Sequence, residues 1–417
     1  MRSSYPRKLL FRKTKHTTSY SLSTLAWRKF KKNRLGFGSL IFIGLTVLVA
    51  TLGYLITPDQ TPFANDQCLE VGLKKPGFTV NMLLVRKNQP EFQVSWLSAM
   101  ISGKRSDFTP VPYNTYRIQG SYVILTDFTD VPGEHSQERS FHLADIVFPL
   151  TEDRNKIKTV GNMLLFKDIY GISHRESISG LTATIRSNNM IRRHYWLGTD
   201  RFGRDMLSQL LIGTRVSLSV GLISVFISLV IGIFLGSVSG YFRGWIDQLI
   251  VWFINVVWSI PTLLLVIAIT FALGKGFWQV FIAVGLTMWV EVARVVRGQI
   301  LGIREKEFVE AGKALGFSNY RIIVHHILPN IMGVVIVISA ANFASAILLE
   351  AGLSFLGIGV QPPMPSWGSM IKENYGYIVL DSAYLAILPG FAIMLMVLAF
   401  MLIGNALRDA LDVKTSS

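Results

Sequence analysis

Charge is scarce in this sequence, and cysteine is almost absent. Only 16% of the 417 residues are Asp, Glu, Lys or Arg, against about 25% in soluble domains, and 50% are apolar. That balance excludes an ordinary water-facing globule and points to lipid. The single cysteine, Cys68, rules out an intrachain disulfide and leaves the redox compartment open. No G-x-x-x-x-G-K-[ST] run occurs, so the chain has no nucleotide site built on that phosphate-cradling loop. The apolar stretches carry scattered Ser but no cluster of His, Asp or Cys, which leaves a membrane enzyme without a nucleophile and its base. Acid is missing from residues 1–35, where eleven Lys or Arg stand. A basic arm alone reads as nucleic-acid binding. Because an apolar run follows at Gly36, this one reads instead as a cytoplasmic flank that sets membrane orientation, with lipid and not nucleic acid as its neighbour.

What is present is a series of long apolar runs. Six candidate spans lie near 36–57, 213–239, 247–273, 277–300, 330–352 and 384–407. Each has the ~20 residues needed to cross ~30 Å of hydrocarbon. The first is too long for a signal peptide, and no small-x-small cleavage site follows, so an uncleaved anchor is expected. With the N-terminus inside, the C-terminus is inside too. Arg243, Arg294, Arg297, Arg304, Lys306, Lys313, Arg321 and Arg408 then fall on the inner side, and the two short outer connections carry only Lys275 and Lys372.

Residues 58–205 differ in composition from the spans. They hold 18 Lys or Arg and 16 Asp or Glu, and stretches such as "FTVNMLLVRK" and "TYRIQGSYVILTDF" have the alternation of strands. A separately folded outer insert, α+β or mainly β, is predicted. It is either a decoration on the outer mouth or a docking and screening module. In the second span Gly232, Gly236 and Gly240 share one helix face and predict close helix packing. Pro261 and Pro389 each remove a helical hydrogen bond and predict bends, static or hinge-like. Intramembrane acids mark candidates for a pathway or gate. Glu291 stands three residues before Arg294, so a simple intrahelical pair is the alternative reading. Glu350 has no such neighbour, and either faces a water-lined route or sits at the outer interface.

The segment "EKEFVEAGKALGFSNYRIIVHHILPN" (305–330) is charged, yet it separates two spans on the inner side. A helix over about 304–316 is predicted, with Glu305 and Glu307 at its positive end. Phe308, Ala311, Gly312 and Leu315 form an apolar stripe, and Gly316 serves as a left-handed C-cap. Ser318 or Asn319 caps a second short helix, which Pro329 interrupts before the fifth span. The polar side mixes signs, which suits a protein partner better than lipid headgroups.

Glu310-Ala311-Gly312, three residues, Gly316, and then Leu328-Pro329 resemble the EAA loop of permease subunits of ABC importers. Gly312 replaces the family's second Ala, and His326 replaces its Ile. "WLGTDRFGRDMLSQLLIGTRVSLSVG", "GYFRGWIDQ", "SIPTLLL", "ARVVRGQIL" and "LSFLGIGVQPPMPSWGSMI" are similar to the dipeptide, oligopeptide and nickel permeases of the DppC/OppC-like group. The resemblance covers the first span and about 190–412, and the insert departs from it.

The resemblance implies an all-α polytopic membrane protein of the type I importer fold. Its parts would be a basic arm (1–35), a first span (36–57), the insert (58–205) and a permease core (206–412). It implies a bacterial inner-membrane subunit that imports peptides or related small solutes, without catalysis or a cofactor of its own. ATP and Mg would belong to two separate ATPase subunits. A second permease subunit of the DppB/OppB-like kind and an extracytoplasmic solute-binding protein would complete the assembly. The helix at 304–316 would couple to the ATPase through Glu310, Ala311, Gly312, Gly316, Phe308, Leu315, Leu328 and Pro329. Arg294 and Arg297 would lie near the inner gate. The rival readings are a passive channel or scaffold, and an ABC-coupled subunit with a non-nutrient role whose insert holds a dedicated partner.

Overall fold

A computed structural model describes residues 22–92, 94–129, 137–151, 157–274 and 276–411. Most of the basic arm, Lys275 and residue 412 lie outside the described residues. Helix α1 (Leu22–Lys32) precedes α2 (Arg34–Ile56), the first long apolar helix. Asn33 separates them, its Oδ1 accepting the Gly36 N–H at 3.0 Å as an N-cap. Phe30 turns inward, buried among Ile403, Ala406 and Ala410 at the far end of the chain.

Between α2 and the next long helix the chain builds two antiparallel sheets. The strands are β1 (Phe78–Arg86), β2 (Phe108–Gln119), β3 (Tyr122–Asp127), β4 (Glu138–His142), β5 (Lys158–Val160), β6 (Met163–Lys167), β7 (Ser173–Ser177) and β8 (Met190–Tyr195). Short helices α3 (Trp96–Ser102), α4 (Leu143–Val147) and α5 (Ile178–Thr184) lie among them. The order is β4-β3-β2-β1-β8 in one sheet and β5-β6-β7 in the other. Pro110 and Pro112 stand inside β2, opposite Leu84 and Met82 of β1. The β3 ladder begins only at Tyr113, so these prolines sit where β2 has β1 alone beside it, as a residue without an N–H requires. Leu83, Leu125, Leu143, Ile146, Leu164 and Ile185 are all buried together, so both sheets share one core.

The remaining chain is helical: α6 (Met206–Phe242), α7 (Gly244–Trp258), α8 (Thr262–Leu273), α9 (Phe277–Ile303), α10 (Glu307–Ala314), α11 (Asn319–Arg321), α12 (Leu328–Phe355), α13 (Trp367–Asn374) and α14 (Tyr384–Leu411). Five helices among the described residues are long and apolar enough to cross a membrane, and a sixth span results if α7 and α8 count as one. The region expected as one span at 247–273 is thus two helices, bent by 92° at Ser259–Pro261. Pro389 behaves differently, because α14 continues through it.

The glycine face of α6 lies on α9. A Cβ at Gly232 would come within 2.8 Å of the Trp289 carbonyl, at Gly236 within 2.6 Å of that of Ala293, and at Gly240 within 3.0 Å of that of Arg297. Bare backbone here lets two helices meet at a distance that side chains forbid. On α6 itself Leu222, Phe226, Val230 and Phe234 form an exposed stripe, the surface that lipid or another membrane chain covers.

Candidate functional site

The segment between α9 and α12 is fastened to the end of α6 by one aromatic residue. Tyr241 is buried, and its hydroxyl donates to Asn319 Oδ1 at 2.8 Å. Arg304 Nη1 donates to the Tyr241 carbonyl at 2.6 Å. The Arg304 guanidinium and the Lys313 ammonium both lie over the ring, at 5.9 and 5.7 Å. Arg243 and Glu305 add an exposed ion pair at 2.5 Å.

Helix α10 is shorter than the 304–316 expected, since Lys306 is its N-cap and Glu305 lies outside it. It ends in a Schellman turn. Gly316 takes φ +77°, its N–H bonds to the Lys313 carbonyl, and Phe317 N–H bonds to that of Gly312 at 3.0 Å. The stripe divides differently from the sequence reading. Val309 and Gly312 are the buried positions, packed on a cluster with Ile322, Ile327 and Ile331. A Cβ on Gly312 would sit 3.5 Å from Phe317, so Gly312 faces its own chain. Phe308, Ala311 and Leu315 face outward, with Leu315 72% exposed, and Glu310 is exposed beside them. Val309 was the anchor that the sequence reading passed over, although its spacing to Gly312 places the two on one face.

Pro329 does not break the chain, contrary to expectation. Residues 319–355 run as one helix whose 322–327 turn widens to π-helical geometry. That looser turn absorbs a proline that cannot supply its own N–H bond. Leu328 is half-buried in the same cluster and Pro329 is exposed. His326, standing where the resembled family has Ile, lies flat on Phe317, with ring centroids 5.7 Å apart and planes within 7°.

The intramembrane charges find other partners than sequence proximity suggests. Glu291 is exposed and does not pair with Arg294, whose guanidinium lies 3.9 Å from the centre of the Trp258 ring. Arg297 makes a two-pronged pair with Asp247 of α7, both contacts 2.7 Å, and Ser239 also donates to Asp247. Glu350 is fully buried within the protein. Ser354 Oγ donates to its Oε1 at 2.7 Å, while Oε2 has no partner among the described residues. Ser354 also lines a cavity of ≈ 580 Å³ with Ser369, Lys372 and Glu373.

A second polar centre, unforeseen from sequence, joins the strand-bearing region to the helices. Arg204 donates to Asp200 and to Glu373 of α13, each at 2.6 Å. Asp205 caps α6 by accepting the Ser208 N–H at 2.9 Å. Asp59 accepts N–H groups of Thr61 and Asp66 at 2.8 and 3.0 Å. Burial raises the carboxyls of both Asp59 and Asp205 above the usual range. The "GTDRFGRD" string could have pointed here, since its glycines have φ near +70° and its acids stand where a loop meets a helix N-terminus.

Comparison with known proteins identifies the scaffold that carries these features. The sequence profile of the family described as binding-protein-dependent transport system inner membrane component matches residues 229–417. That of the N-terminal transmembrane domain of oligopeptide transport permease C matches residues 21–76. The dipeptide transport system permease protein DppC of Alkalihalophilus pseudofirmus is 43% identical over 223 residues, 54% of this chain and 73% of that protein. The oligopeptide transport system permease protein OppC of Haemophilus influenzae is 41% identical over 53% of this chain and 71% of its own length. A chain of the inward-facing MetNI methionine ABC transporter aligns at TM-score 0.40 and 20% identity, covering 48% of this chain and 97% of that one. The chain belongs to the DppC/OppC family of binding-protein-dependent ABC transporter permeases.

Proposed function

We propose that the chain is the permease half of an importer for peptides or related small solutes, driven by ATP hydrolysis on separate subunits that grip α10. The observation that carries this is the division of α10 into two faces. Val309 and Gly312 hold the helix to the bundle, while Phe308, Ala311 and Leu315 stand outward beside Glu310. A short helix that leaves apolar side chains exposed on its own subunit is suited to a groove on another protein. Movement of α10 would reach α6 through Tyr241 and Arg304, and α12 through the π-helical turn. ATP and Mg would sit on the motor subunits. The N- and C-termini would share the α10 side, and a second permease subunit and a solute-binding protein would complete the assembly. The strand-bearing insert would lie on the opposite, outer side. Peptide as cargo rests on the relatives, whose names specify dipeptides and oligopeptides.

Ala311→Trp tests the coupling. The position is exposed, so the chain should insert and melt normally, while solute uptake by the reconstituted complex falls at least tenfold. Unchanged uptake would refute the docking role. Gly312→Trp is the poorer test, because it also crowds Phe317.

A further inference from the structure

We propose that α3 is a lipid-immersed anchor, which pins the strand-bearing insert into the acyl-chain region of the leaflet at the C-terminal end of α2. The proposal rests only on α2 being a membrane span. Trp96, Leu97 and Ile101 of this seven-residue helix are 68%, 51% and 63% exposed, and Phe92 just before it is 50% exposed. Three large apolar residues crowded on one seven-residue helix are a surface that water does not favour.

The depth of the helix is fixed by Arg215 of α6. Its guanidinium donates to Ala50 O at 2.8 Å and Thr51 O at 3.1 Å in α2. It also donates to Met100 O at 3.0 Å and Ile101 O at 2.6 Å in α3. Thr51 O and Met100 O share a single nitrogen, Nη2, so the end of α3 lies beside the next-to-last turn of α2 and not beyond the helix. Ile56, where α2 ends, is a further five residues on, about 7–8 Å at 1.5 Å per residue. Leu48 and Leu55 of α2 are exposed as well. Lipid therefore has access to both.

The same contacts explain how a helix can end at that depth. The last carbonyls of a helix lack partners, and in hydrocarbon no water replaces them. Arg215 covers two of them. Gly103, at φ +76°, then returns the chain to Gln60 and Pro62 just past α2, where any Cβ would lie within 2.9 Å of the backbone. A helix end that dipped into water would need neither device.

Spin labels at Leu97→Cys and Ile101→Cys of the full chain test this, in vesicles of phosphatidylethanolamine and phosphatidylglycerol. Native Cys68 is buried, its thiol pushed up to about 12, so the unsubstituted chain serves as the labelling blank. Collision with oxygen should exceed collision with an aqueous nickel chelate severalfold at both sites, as at Leu48→Cys and opposite to Lys158→Cys on β5. Nickel-dominated relaxation would place α3 in water and overturn the proposal. Shielding from both probes would mean that a protein covers it, and would overturn the proposal equally. Trp96→Phe gives an independent reading: brominated acyl chains should quench the emission that this substitution removes.

Discussion

The two polar centres of the molecule are built from opposite materials. Where the insert meets α6 and α13, Arg204, Asp200, Asp59 and Asp205 are all buried; Arg204 pairs with Asp200 and Glu373, and Asp59 and Asp205 accept backbone N–H groups. Where α10 meets α6, the ion pair of Arg243 with Glu305 is exposed, and the hold comes from one tyrosine ring and a small apolar contact. Exposed pairs contribute ~0–1 kcal/mol, whereas removing one member of a buried pair leaves a charge without solvent or partner. The first centre is thus a weld and the second a joint. If α10 passes motion into the spans, as proposed, that arrangement would serve it.

Breaking the weld should have the largest effect. Arg204→Met strands Asp200 and Glu373 and should cost about 3–5 kcal/mol, read as a clear fall in melting temperature of the detergent-purified chain. A normal melt would remove the distinction between the two centres. At the joint, Tyr241→Phe removes only the hydrogen bond to Asn319, about 1 kcal/mol. Melting should barely move, yet uptake per ATP hydrolysed should drop if Tyr241 relays the motion. The smallest effect is one of pH. Asp59 and Asp205 have carboxyls raised by burial, so the folded state binds their protons more tightly than the unfolded chain does. Their contribution to stability therefore grows as pH falls toward and through the raised values, and is lost as pH rises. Amides around 199–209 should gain protection, corrected for intrinsic exchange, as pH is lowered from neutrality toward the raised values. Those of α10, which lies outside this centre, should not.

What the sequence made legible was whatever repeats at short range. Apolar runs marked the long helices, and alternation marked β1 and β3. The spacing of Gly232, Gly236 and Gly240 announced a close-packed face without saying which helix it met. The pattern at 305–330 announced α10, but not that Gly312 is buried while Phe308, one turn before it, is exposed. Pairings distant in sequence left no trace. Asp247 stands 50 residues from Arg297, and Arg215 more than 100 from the α3 carbonyls it caps. β8, rich in Arg and His, has no alternation to declare that it completes the sheet beside β1. Proline was ambiguous for a physical reason, since the helix at Pro261 breaks, at Pro389 continues, and at Pro329 widens its turn.

The α6–α9 contact has one more implication. With no side chain on the α6 side of that seam, its backbone lies directly against Val292, Val296 and Ile300 and the carbonyls of α9, so the pair is obliged to travel as a single beam. Any opening and shutting of a passage is then made by the partners around that beam.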